Sequence, residues 1–187
     1  DEGDGAAGEV NDESGDDSGD EPDAEEAAFD ELVAAASKKV KRVLADEQNA
    51  ALETLRGKAK VNDLGDLVPT DVEHAASYTS SVGDEVDAAA VMGASTVGGS
   101  KPAARTLKRI RTEAIESISE GIVAVLRERL GAAVGAAAGD NDEISAKVRA
   151  VYREVKTKVI DDRVRDALWQ ARSAAVVAAA PKGERLR

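Results

Sequence analysis

The sequence predicts an all-α fold, a helical bundle of about four helices preceded by a disordered acidic tail, and three observations predict it. Apolar residues recur at spacings of three and four along most of the chain after residue 26. No alternating run of β-branched residues bounded by turns is present, so strands have no support. The charge is also lopsided: residues 1–26 hold thirteen acids and no base, which leaves 24 acids against 25 bases in the rest. The net charge of -12 therefore belongs to the opening segment. That segment is mainly Gly, Ser, Asp and Glu, with Val10 its one large apolar residue, and it cannot bury enough surface to offset chain entropy. Residues 1–26 are expected to be a disordered linker that keeps neighbouring domains apart. An acidic arm that docks on a basic partner or mimics nucleic acid is the alternative.

The helical domain is expected over 27–187, with helices at about 24–57, 70–92, 102–138 and 142–180. In the first, Phe29, Leu32, Val33, Ala36, Val40, Val43 and Leu44 form an amphipathic face opposite Lys38, Lys39, Lys41 and Arg42. Asp23 and Glu26 have the spacing of an acidic capping box. A charged loop from Asn62 to Pro69 follows. Thr70-Asp71-Val72-Glu73 reads as a capping box for the second helix, with Val72, Ala76, Thr79, Val82, Val86 and Ala89 as a thin apolar stripe. Gly93 to Ser100 reads as a flexible hinge, and Pro102 suits the first turn of the third helix. There Leu107, Ile110, Ala114, Ile115, Ile118, Ile122, Val125, Leu126 and Leu130 make the broadest face of the chain. Gly139-Asp140-Asn141-Asp142 stops one helix and starts another, with Asp140 and Glu143 at capping-box spacing. The last helix is expected to run unbroken to about Ala180, ended by Pro181, and to be roughly 50 Å long.

Composition excludes much chemistry. The 187 residues contain no cysteine and a single histidine, His74. A disulfide framework, a thiolate zinc site and a cysteine nucleophile are thereby absent from this chain, and one histidine cannot make a His-based metal cage. No catalytic, cofactor-binding or metal-binding residue is expected, and no small-molecule substrate. His74 is expected at the surface, since no second His or Cys exists to share a metal. Glu116 with Glu120, and Asp161 with Asp162, are carboxylate pairs that helix-surface charge explains. Glycine patterns that cradle phosphate are missing. No run approaches the roughly 18 apolar residues of a membrane span. Asp at position 1 suggests a piece of a longer chain.

Two candidate surfaces remain. Gly131, Gly135 and Gly139 stand four apart, a spacing that lets helix backbones approach closely in a dimer seam, although a fraying helix end is the favoured reading. Trp169, five turns after Tyr152, joins them as a candidate interface anchor on the same face. Lys101, Arg105, Lys108, Arg109 and Arg111 form a basic stretch with no acid until Glu113. No aromatic interleaves for stacking, so a solvated face is favoured over nucleic-acid binding, and the stretch is also suited to attract the acidic tail. Aromatics outside the tail are only Phe29, Tyr78, Tyr152 and Trp169. Alanine-rich faces contribute little without extensive close packing, at about 25 cal/mol per Å² of apolar area. A long final helix would also overhang a small bundle, so self-association is expected.

The string Lys41-Arg42-Val43-Leu44-Ala45-Asp46-Glu47-Gln48-Asn49, followed by Leu52-Glu53-Thr54-Leu55-Arg56, resembles a segment of long actinobacterial DivIVA-domain-containing proteins. Val148 to Lys156 resembles their Tyr-Arg-Glu-x-Lys helix, and 179–187 the stretch before their C-terminal cysteine-containing module. That module is itself similar to the C-terminal part of phage Mu F-like head-morphogenesis proteins. The resemblance spans 27–187 loosely through three short motifs. It implies a cytoplasmic, non-enzymatic scaffold or interaction domain linked to cell division or polar growth, with another protein or a second copy as partner. The alternative it implies is a phage head-assembly protein contacting the portal, located in the virion. The DivIVA coiled coil and the cysteine module lie outside this sequence, so membrane-curvature sensing and metal binding do not carry over.

Overall fold

The computed structural model describes residues 24–57, 59–137 and 139–180, and these are helices with short connections and no strand. The helices are α1 (Ala24–Arg56), α2 (Asp71–Thr79), α3 (Gly83–Thr96), α4 (Ala104–Ile118), α5 (Val125–Ala137), α6 (Asn141–Lys158) and α7 (Ile160–Ala179). A π-helical stretch, Ser119–Ala124, joins α4 to α5 in one continuous rod. The described residues therefore form six rods rather than four helices, and the all-α class holds.

Both departures from four come from restarts that lack a Pro. Lys156 and Lys158 close α6 while Asp161 and Asp162 open α7, so each charge sits where its helix dipole favours it. Val159 between them takes φ -118 and ψ -48 and bends the line. The second expected helix breaks in the same way at Ser80–Val82, with Asp84 and Glu85 in the first turn of α3. The Thr70 capping box forms as expected: Glu73 N donates to Thr70 Oγ1, and Glu73 Oε2 accepts from Thr70 N at 3.3 Å. Asp140 likewise accepts from the amides of Asp142 and Glu143, both at 3.0 Å. Asp23, the expected cap of α1, lies outside the described residues, and so do 1–22. Ala24 to Glu26, where the expected linker and the expected first helix overlap, are the first turn of α1.

Two local expectations are corrected. Gly93 to Ser100 is not a hinge, because α3 continues to Thr96 and Gly93 is buried inside it. Helix α4 starts at Ala104, two residues beyond Pro102. The apolar stripe of α2 is also rotated from its expected position. Val72 is 80% exposed and Ala76 is exposed too, so His74 and Tyr78 face inward in their place, while Thr79, Val82, Val86 and Ala89 of the expected stripe are buried.

Helix α7 is the hub of the molecule and packs against α1, α3, α4 and α6. Its closest partner is α3, whose Ala89, Ala90, Gly93 and Ala94 line the contact with Ala171 and Ala175. A Cβ on Gly93 would lie 2.1 Å from the carbonyl oxygen of Arg172, so only glycine permits this approach. The α6–α7 line runs antiparallel along the full length of α1. Glu25 pairs with Arg172, Asp30 with Arg165 (2.8 Å), Lys41 with Asp161 (2.6 Å), and Glu47 with Tyr152 (2.6 Å). At the far end Asn141 donates to the carbonyl of Leu55 at 3.1 Å. The expected overhang of a long final helix is thus absent, because α1 flanks the line as far as Arg172 and α3 with the turn after it flanks the rest of α7. One continuous core unites these helices, from Phe29 and Val40 through Ile110, Ile118 and Leu130 to Tyr152 and Leu168.

Candidate functional site

The capping box at Thr70 starts α2 so that His74, one turn in, points at α1 rather than at solvent. His74 is 0% exposed, which corrects the expectation of a surface histidine. Its Nε2 lies 2.7 Å from Glu47 Oε2, and its Nδ1 lies 3.1 Å from Arg127 Nη1. Arginine can only donate, so Nδ1 is the acceptor and the imidazole proton sits on Nε2, facing the carboxylate. The Nε2 contact with the carboxylate is close, but it is not aligned as a hydrogen bond. Glu47 Oε1 accepts from the Tyr152 hydroxyl at 2.6 Å. Arg127 extends the chain of contacts outward, donating to the Pro69 carbonyl at 2.7 Å and pairing with Asp71.

This network joins α1, α2, α5 and α6 across the core. Burial pushes the Tyr78 and Tyr152 hydroxyls well above the ordinary tyrosine pKa, and the nearby Glu47 charge pushes them further. The Tyr78 ring stands 5.4 Å from the His74 ring, and its buried hydroxyl has no aligned hydrogen-bond partner among the described residues. A general acid or base must reach its substrate, whereas His74, Tyr78 and Tyr152 are all fully enclosed. The arrangement acts as a cross-brace. Signals for it existed in the sequence: His74, Tyr78 and Val82 recur every four residues, a buried stripe that counting His and Tyr as polar conceals.

The exposed chemistry lies elsewhere. Trp169 on α7 is 55% exposed, and Phe29 meets its ring edge-on at a centroid distance of 5.6 Å. The Arg172 guanidinium lies 5.2 Å from the Trp169 ring and 5.4 Å from the Phe29 ring, while pairing with Glu25. Glu25 also accepts from Thr96 at 2.9 Å, so the start of α1, the end of α3 and the outer half of α7 are tied together. A shallow groove of ≈ 380 Å³ runs beside the indole, lined by Glu26, Arg165 and Asp166 among others. Val177, two turns beyond Trp169 on the same line of α7, is 75% exposed. Tyr152 does not share that face, since the bend at Val159 lets it turn into the core.

The other sequence candidates separate from this surface. A Cβ on Gly135 would meet nothing within 4 Å, and one on Gly131 would touch only Leu64 at 3.9 Å. Neither glycine mediates close packing within the chain. Gly139, at φ +83, takes the left-handed conformation that glycine favours and follows the end of α5. Of the basic stretch, Arg111 turns away to hold Asp87 through two bonds of 2.6 and 3.0 Å, and Arg109 pairs with Glu113 at 2.6 Å. Lys101, Arg105 and Lys108 are exposed and make no ion pair with another described residue. Glu116 and Glu120 are exposed on the same rod, and Asp161 is engaged by Lys41.

Among the described residues no group of three or more His, Asp or Glu side chains is placed to hold a metal ion. None of the described helices is long and apolar enough to cross a membrane. Comparison of the chain with known protein families, with curated proteins and with solved structures finds no match.

Proposed function

We propose that the chain is a non-enzymatic helical scaffold domain that associates with a second copy through the outer face of α7, centred on Trp169. The observation that carries this reading is the exposure of Trp169 on a rigid mount. A large aromatic fixed by Phe29 and Arg172 presents apolar area at little entropic cost, which is how interface anchors are built. Val177 extends the apolar stripe along the helix. In an antiparallel pairing of two α7 helices about Ser173, the Trp169 of one copy would meet the Val177 of the other.

The wider setting we infer is the one implied by the DivIVA-domain resemblance, a larger actinobacterial protein linked to cell division or polar growth. Phage head assembly is the second reading, because the cysteine-containing module that follows the 179–187 stretch in the proteins it resembles is itself similar to the C-terminal part of Mu F-like proteins. A DivIVA-type coil encoded ahead of these residues supports the first, and a terminase–portal neighbourhood supports the second.

Sedimentation velocity across the micromolar range tests the association itself. We expect a dimer that the Trp169→Ser variant returns to monomer, with a concentration-dependent blue shift of the single tryptophan emission. A lone monomeric species with unshifted emission throughout that range would overturn the proposal.

A further inference from the structure

We propose that the acidic residues 1–23 are the resident ligand of the basic strip Lys101, Arg105 and Lys108 on the chain that carries them. The strip is a surface whose cations make no ion pair with another described residue. Arg105, Lys108 and Arg109 lie at helical spacing on one exposed face of α4, with Lys101 one turn ahead of them. Arg109 is occupied by Glu113 and Arg111 by Asp87, so three cations stay available. Leu107 and Ile110 pack toward the core, which fixes the strip facing outward. The first turn of α4 carries no acid and its Ala103 cap offers no side-chain acceptor, so the helix dipole adds to the positive field there.

Residues 1–23 supply the complementary charge, eleven carboxylates and no base. The fold places their attachment point beside the strip. Glu25 in the first turn of α1 accepts from Thr96, and Lys101 follows Thr96 by five residues, at most about 18 Å of chain. A 23-residue segment reaches up to about 80 Å, so it spans that gap several times over. Tethering at such range gives an effective concentration on the order of millimolar, well above that of a second copy at micromolar protein. The same-chain segment therefore outcompetes one from another copy. This inference stands apart from the α7 association, which uses a different face.

The chain has no cysteine, so Ser14→Cys in the full-length protein carries one nitroxide spin label at a known place. We expect amide resonances of 101–109 to fall to about half their diamagnetic intensity or less at roughly 20 mM salt, and to recover at about 0.5 M salt, where the Debye length is only a few ångströms. Lys101→Glu, Arg105→Glu and Lys108→Glu together should abolish the effect. All three residues are exposed, and helical circular dichroism verifies the fold of the variant; the salt series in the parent chain decides the matter independently. Undiminished intensities at low salt, or losses centred on another basic run such as Lys38 to Arg42, would overturn the proposal. Equal broadening in an equimolar mixture of spin-labelled chains and separate isotope-labelled chains would also overturn it, by assigning the ligand to a second copy.

Discussion

Glu47 and His74 sit on helices separated by a long connection, yet together they hold a mostly buried carboxylate against a fully buried imidazole. Removing His74 leaves the desolvated carboxylate with Tyr152 as its remaining partner among those described, and that penalty exceeds what the pair itself contributes. His74→Ala is expected to cost about 2–4 kcal/mol in a urea titration, with the helical content of the folded state retained. The two tyrosines around Glu47 give a pH signature. Their hydroxyl pKa values are raised in the folded protein, so the folded state keeps protons that the unfolded state would release. Stability is therefore full below the ordinary tyrosine value near 10 and declines as pH rises above it. Absorbance at 295 nm should show no separate titration of these tyrosines, and tyrosinate should appear together with loss of the helical signal. The sequence marked Trp169 as an anchor, since a lone tryptophan at helical spacing stands out. It concealed His74, because hydropathy places histidine on the wet side of a helix whatever it bonds to.

At the scale of elements, small residues bring two helices of this chain close together where α3 meets α7, a contact separate from the seam between copies expected on α5. The regular spacing of Gly131 and Gly135 drew attention to α5, while the contact is made by Gly93 with Ala89, Ala90 and Ala94 on α3 against α7. Gly93→Ala is expected to destabilise by about 2–4 kcal/mol, because the new methyl collides with the Arg172 carbonyl and two backbones must part. Gly135→Ala is expected to stabilise by up to about 1 kcal/mol, since open space surrounds it and alanine favours helix. Paired thermal melts of the two variants check both signs. Helix existence and most inward faces were legible from periodicity alone. The restarts at Ser80–Val82 and Val159 were not, because neither contains Pro. Only the change from basic to acidic charge across Lys156 to Asp162 marked the second.

For the molecule as a whole, every described helix contributes to one core, and the α6–α7 line is matched against α1 from end to end. The chain should therefore unfold as a unit. Calorimetric and van't Hoff enthalpies are expected to agree, and the tryptophan and far-ultraviolet transitions to coincide. Two separated transitions would mean that α1 with α6 and α7 stands independently of α3 to α5. The all-α class and the charge asymmetry could be read from composition. The pairing of the first helix with the last could not, because local periodicity carries no information about contacts between distant segments.

That pairing also sets a timetable for synthesis. Glu25 emerges from the ribosome before Arg172, 147 residues apart, and the antiparallel partners of α1 all lie in α6 and α7. Until α7 is translated, the apolar side of α1, with Phe29, Val33 and Val40, is only partly covered, by α2, α3 and α6. At roughly 5–20 residues per second that interval lasts on the order of ten seconds or more. A nascent chain stalled after α5 should accordingly be a good chaperone client and an easy target for proteases, and release of α7 should end both conditions at once.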